Sequence, residues 1–152
     1  MNSIIRYLIQ YILDNMYDDI TMEKLEQEFY YNKFYLIRTF KNYTGYTIKE
    51  FINTVKVLKS VNPLLFTDDT ILKIALNNGF NSQEYYSETF QNVLGTSPIK
   101  FRKNYKDIEE TEDLDTLKTK KEYLSGLIEY RDQLLNMPNM ISEKGYTREL
   151  NI

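Results

Sequence analysis

When the chain is slid against itself by 50 residues, its capping residues and turn glycines coincide: Asn32 falls on Ser82, Gly45 on Gly95 and Thr47 on Ser97. The positions between them agree as well, with Tyr35 on Tyr85, Thr39 on Thr89, Phe40 on Phe90, Asn42 on Asn92 and Phe51 on Phe101. A repeat of caps and apolar positions constrains the fold strongly, because both copies must form the same elements and bury the same face. Ahead of the capped helices the offset falls to 49, which places Leu25 on Ile74 and puts one extra residue in the second turn. Two helix-turn-helix units joined by one long helix satisfy this pattern.

The rest of the chain is consistent with an all-α fold. Apolar residues recur at helical spacing from Ile4 to Met16, and no stretch alternates as a strand. Thr21 is placed to cap a helix to about Phe29, and Asn32 a second one to Tyr43, which Gly45 ends in the left-handed conformation open to glycine. Thr47 and Glu50 have the form of a capping box opening a longer helix toward Asn62, where Pro63 is expected to stop or kink it. Asp69 is expected to cap the next helix, which Gly79 closes. Asn81 or Ser82 then starts a helix that runs to Gly95, and Ser97-Pro98 opens another.

Composition excludes much chemistry. The 152 residues include no Cys and no His, which removes thiolate and imidazole nucleophiles and the usual zinc ligand sets. With 5 Gly there is no phosphate-cradling loop, and the carboxylates from Asp107 to Asp115 lack the glycine and spacing of a calcium loop. No enzyme motif, cofactor or metal site is expected. Arg6, Gln10 and Asp14 interrupt the opening helix too often for a signal peptide or a membrane span, so a cytoplasmic protein without membrane attachment is expected.

The net charge of -3 is unevenly spread: residues 1–105 hold 12 Lys+Arg against 11 Asp+Glu, and residues 106–152 hold 7 against 11. A composition boundary near Tyr105 therefore divides a domain over 1–105 from an acidic C-terminal extension over 106–152, with a helix expected at about 113–136. Leu117, Leu124, Leu127, Ile128, Leu134 and Leu135 form its interrupted apolar stripe, fit either to pack on its own domain or to serve self-association or a protein partner.

Over roughly Ile4 to Arg102 the chain resembles the AraC/XylS transcription regulators. The resemblance rests on Gly79-Phe80 in IALNNGF, the pairs Thr39-Phe40 and Thr89-Phe90, Gly45, Gly95 and the ending GTSPIKFR. It implies two helix-turn-helix units, held by a linker helix, that place two recognition helices in successive major-groove segments of double-stranded DNA. It also implies an activator that contacts RNA polymerase. The chain departs from the family pattern at Glu26, where alanine is common, at Lys56, where the linker usually has arginine, and at Pro63. These changes are expected to loosen the coupling of the two units. A sensing domain is not expected ahead of Ile4, so either a free-standing regulator or a piece of a larger one is expected.

In the first reading helix Leu36, Phe40 and Tyr43 are expected inward, leaving Lys33, Phe34, Ile37, Arg38 and Lys41 outside. The resemblance puts base reading on Phe34, Ile37 and Arg38. Arginine pairs bidentately with guanine, whereas Phe34 and Ile37 could meet only thymine methyls, unless they pack on a neighbouring helix. In the second, Tyr86 and Phe90 are expected inward, leaving Gln83, Glu84, Ser87, Glu88 and Gln91 outside. Lys33, Arg38 and Lys41 thus become Gln83, Glu88 and Gln91, so every cation of the first face is lost. Either Glu84 and Glu88 form a solvated face, with Glu84 completing a capping box from Asn81, or one of them accepts from cytosine. Lys49 and Lys100, each near the start of the following helix, are the expected phosphate contacts, with Lys56, Lys59, Arg102 and Lys103 as further basic positions. The sequence therefore suggests a DNA-binding regulator with a dominant first reading helix. The alternative is the same fold used as a protein-interaction module with little DNA binding.

Overall fold

The computed structural model describes residues 2–109 and 113–140. Every element among them is a helix, in the order α1 (Asn2–Asn15), α2 (Met22–Phe29), α3 (Lys33–Thr44), α4 (Ile48–Phe66), α5 (Ile71–Asn77), α6 (Gln83–Leu94), α7 (Pro98–Glu109), α8 (Leu114–Leu135) and α9 (Met137–Met140). The chain divides into two compact units. One consists of the described parts of Met1–Asn53 and Asp132–Asn151, and the other of those of Thr54–Arg131.

In the first unit α1 buries Ile5, Leu8, Ile9 and Ile12, one face of an amphipathic helix, and Met16 just past its end is buried too. Short α9 packs on α1, and Leu134 and Met137 are fully enclosed. The helical turn at Met137–Met140 runs through Pro138, just past the helix expected at about 113–136. Proline is tolerated there because the first turn of a helix needs no intrahelical N–H bond. From 141 onward the chain lies outside the described residues. Leu25, Leu36 and Phe40 carry the core of the helix-turn-helix, and Phe51 meets Phe40 edge-on at 5.6 Å. The caps fall as expected. Thr21 accepts from Lys24 N at 3.2 Å, Asn32 from Phe34 N at 2.8 Å, and Gly45 is left-handed at φ 78°. Thr47 and Glu50 close a reciprocal capping box at 3.1 and 3.2 Å.

In the second unit Pro63 neither stops nor ends α4, which continues to Phe66. The helix ends instead where external donors reach its last carbonyls. Thr67 donates from its backbone N and its hydroxyl to Pro63 O at 3.1 and 2.6 Å, and Arg102 Nε donates to Leu64 O at 2.8 Å. Thr70, not Asp69, caps α5 by accepting from Lys73 N at 3.1 Å, while Asp69 pairs with the Lys73 ammonium at 3.2 Å. Ser82 caps α6 through Tyr85 N at 3.1 Å, so the third residue of the helix is Tyr85 and Glu84 is out of register for a capping box. An aromatic chain runs from the core to the half-exposed Tyr123. Phe80, Tyr86, Phe90, Phe101 and Tyr123 follow one another at 5.0, 5.7, 5.5 and 6.3 Å between ring centres. Helix α7 passes through Tyr105 without a break. Leu124, Leu127 and Ile128 of α8 line an apolar groove with Leu58, Val61, Leu65 and Phe66 of α4, in which Leu127 is buried and Ile128 half exposed.

Candidate nucleic-acid interface

The outward face of α3 is built by the burial of its other face. Leu36 and Phe40 are fully buried and Tyr43 half-buried, which leaves Phe34, Ile37, Arg38 and Lys41 together on the exposed side. Phe34 is 65% exposed and Ile37 40%, so neither is absorbed by a neighbouring helix. Lys33 is half-buried, with its ammonium 5.5 Å from the centre of the Phe34 ring. Lys41 reaches the last turn of its own helix, where Nζ donates to Gly45 O at 3.2 Å and lies 4.0 Å from Glu50. Lys49 is exposed on the first turn of α4.

Helix α3 is held at its start by Glu26. The half-buried carboxylate accepts from Lys33 N at 2.9 Å, which satisfies a first-turn donor and places negative charge at the positive end of the helix. The departure from alanine at this position therefore acts as a tie across the turn. Its repeat counterpart, Ala75, is fully buried and offers no such group. The turn itself exposes aromatic surface that sequence reasoning missed. Tyr30 is left-handed at φ 58° and 91% exposed, and Tyr31 stacks on Tyr35 at 5.0 Å. The signal available was the run of tyrosines beside a cap, which reads equally well as core.

The second unit repeats the scaffold with a different face. Tyr86 and Phe90 are buried as expected, Glu84, Glu88 and Gln91 are exposed, and Gln83 and Ser87 are half-buried. Lys100 is exposed on the first turn of α7, where Ser97 caps through Lys100 N at 3.2 Å. At the 50-residue offset it falls on Glu50, so the cation sits one position later in its helix than Lys49 does. Two of the further basic positions are engaged inside the unit. Lys56 donates to Gly79 O at 3.0 Å and lies 5.8 Å from the centre of the Phe80 ring; burial lowers its pKa from the usual lysine value. Arg102 caps α4. Tyr86 bonds Ser60 at 2.8 Å, and burial pushes its phenol up to about 12.

Two capped helix-turn-helix units, each presenting a helix with an exposed polar or basic face, make up the architecture of a DNA-binding regulator. The family described as "Helix-turn-helix domain" matches residues 25–104. The chain is 32% identical over 104 residues to the probable transcription factor PqrA of Proteus vulgaris, covering 68% of this chain and 84% of that one. It is 31% identical over 98 residues to the multiple antibiotic resistance protein MarA of Escherichia coli strain K12, covering 64% and 77%. Among solved structures, the DNA-binding domain of the global transcriptional factor AdpA, determined with a target DNA, shares the fold at a TM-score of 0.60 and 23% identity, over 68% of this chain and 93% of that one. The chain belongs to the AraC-type family of helix-turn-helix transcription regulators. Among the described residues no group of acidic side chains could hold a metal ion, and no helix is long and apolar enough to cross a membrane.

Proposed function

We propose that this protein regulates transcription by sequence-specific binding to double-stranded DNA, with α3 as the dominant reader and α6 contributing less. The contrast between the two exposed faces carries the proposal. The caps and buried positions of α3 recur in α6, while Lys33, Arg38 and Lys41 give way to Gln83, Glu88 and Gln91. Phosphate attraction supplies much of any protein's affinity for DNA, and a face without cations forgoes it.

In this reading Phe34, Ile37 and Arg38 meet base edges, and Lys33, Lys41, Lys49 and Lys100 meet phosphates. Gln83, Glu84, Ser87 and Glu88 lie nearer the duplex than they grip it. The DNA-binding part is the domain over 1–105, and the extension over 106–152 tempers DNA approach by its charge. Activation through contact with RNA polymerase in the cytoplasm, without catalysis, is the behaviour that family membership supports. A fluorescence-anisotropy titration of the whole chain against random and selected duplexes at two salt concentrations tests it. Selective, salt-dependent binding is expected, and equal or absent binding to both duplexes would refute it.

A further inference from the structure

We infer that α3 reads its target mainly through the 5-methyl groups of thymine, with Phe34 and Ile37 each covering one methyl beside the base pair met by Arg38. This rests on the proposal that α3 is the DNA reader, and it names the class of site that such a reader selects. Major-groove recognition usually relies on side chains that donate or accept hydrogen bonds, and of the three exposed residues at the centre of this face two have no such group. Their exposure is the informative observation. Phe34 at 65% and Ile37 at 40% keep large apolar surface in water in a protein whose other core-type residues on the same helix, Leu36 and Phe40, are fully buried. The only apolar feature a base pair presents in the major groove is the thymine methyl.

The geometry also limits where the methyls lie. Phe34 and Ile37 are three residues apart and Phe34 and Arg38 four, so all three share one stripe with neighbouring Cβ atoms roughly 5–6 Å apart. Base pairs rise about 3.4 Å each, so the two methyls stand one or two steps apart, with a guanine for Arg38 next to them. The Lys33 ammonium, 5.5 Å from the Phe34 ring centre, occupies one side of that ring and leaves the remainder of its surface for the methyl. Glu26 fixes the first turn from which Lys33 and Phe34 project, which gives an apolar reader the rigid mounting that shape recognition requires.

The test uses the whole chain and the duplexes it enriches from a randomised pool. Each thymine of an enriched duplex is replaced in turn by deoxyuridine, which removes the methyl and leaves base pairing intact. Two positions, one or two steps apart, are expected to weaken binding by about fourfold each, the value of one buried methyl-sized group. Placing 5-methylcytosine there should bind better than cytosine, because the methyl returns without the thymine carbonyl. In the Phe34→Ala variant one of the two positions should lose its sensitivity, and in Ile37→Ala the other. Both substitutions are on exposed positions, and an unchanged thermal unfolding curve checks that each variant is folded. Selective binding that is indifferent to every deoxyuridine replacement overturns this inference and leaves the DNA-binding proposal standing. Methyl sensitivity that survives both variants assigns the reading to another surface and overturns it equally. Failure to bind any duplex removes the proposed function and this inference with it.

Discussion

The carboxylate of Glu26 and the backbone N–H of Lys33 are 2.9 Å apart, and this one bond joins the middle of α2 to the first turn of α3. The residues are seven apart in sequence, so the bond spans the whole turn. Glu26→Ala should lower unfolding stability by about 1 kcal/mol, the usual cost of losing a cap, while Glu26→Gln should lose less because its amide oxygen still accepts. Urea denaturation of both variants measures this. Equal stability of Glu26→Ala and the unsubstituted protein would show that water replaces the carboxylate without loss.

Tyr86 gives the second unit a pH dependence with a definite sign. Its phenol is pushed from 10.0 to about 12 by burial, so between those values the unfolded chain releases a proton that the folded chain retains. The unfolded state then binds fewer protons, and stability falls as pH rises from 10 toward 12, by about 2–3 kcal/mol in all. Below pH 10 this contribution is fully present. The Ser60 hydroxyl donates to Val57 O at 2.6 Å, which leaves its oxygen to accept from Tyr86. Tyr86→Phe should therefore cost about 1 kcal/mol at neutral pH and show a shallower loss above pH 10. Identical slopes for the two proteins in alkaline denaturation would remove Tyr86 as the cause.

The enclosed Leu134 and Met137 make this stretch of the acidic extension part of the first unit's core. Leu134→Ala should destabilise by about 2–4 kcal/mol through lost burial and the cavity left behind. Calorimetry should show a lower unfolding temperature, and a shift within error would mean that the site collapses around the smaller side chain. Removal of the extension is thus expected to act first on folding. Any increase in non-specific DNA affinity from the lost negative charge would appear only in protein that remains folded.

What could be read from the sequence follows the range of the interactions. Thr21, Asn32, Thr47 and Ser82 were identifiable as caps because their bonds reach only two or three residues along the chain. The buried and exposed sides of α3 and α6 followed from helical spacing and the repeat. The roles of Lys56 and Arg102 did not, since their partners Gly79 and Leu64 lie 23 and 38 residues away and each long cation looks from its own helix like a phosphate contact. The continuation of α4 past Pro63 was hidden for a related reason. Local propensity ends a helix there, but packing of Leu64 and Leu65 and the Arg102 cap carry α4 onward. Asp69 and Thr70 are both competent caps, and the choice of Thr70 leaves Asp69 to Lys73.

Arg38 is the cation at the centre of the α3 face, exposed and four residues from Phe34. Arg38→Ala should weaken binding to a selected duplex by about 1–3 kcal/mol and relax preference for guanine at one position. Lys41→Ala should weaken all duplexes alike, since a phosphate contact carries no sequence information. Competition titrations with single-base variants separate the two effects. Unchanged affinity and preference in Arg38→Ala would remove α3 from the reading role.

Glu88 occupies the place in α6 that Arg38 holds in α3, and it is exposed. If α6 lies over the groove and is held off by its own charge, Glu88→Arg should tighten binding to every duplex and steepen its salt dependence by about one unit of slope. If Glu88 accepts from a cytosine, the same change should weaken the selected site and strengthen random duplex, because a cation that attracts any phosphate replaces the acceptor that recognised one base. If the face serves a basic protein, the change should break that complex and leave DNA binding almost untouched. The first outcome is the expected one. Gln83 and Gln91 flank Glu88 on the same face and have lost their cations together, which is the pattern of a generally weakened grip and not of one altered base contact. Ser82 and Gly95 still cap α6 as Asn32 and Gly45 cap α3, so the helix is as well formed as its counterpart and only its surface differs. Anisotropy titrations at several salt concentrations, on selected and random duplexes, distinguish these outcomes. Affinity and salt slope unchanged on both would take α6 out of the DNA interface.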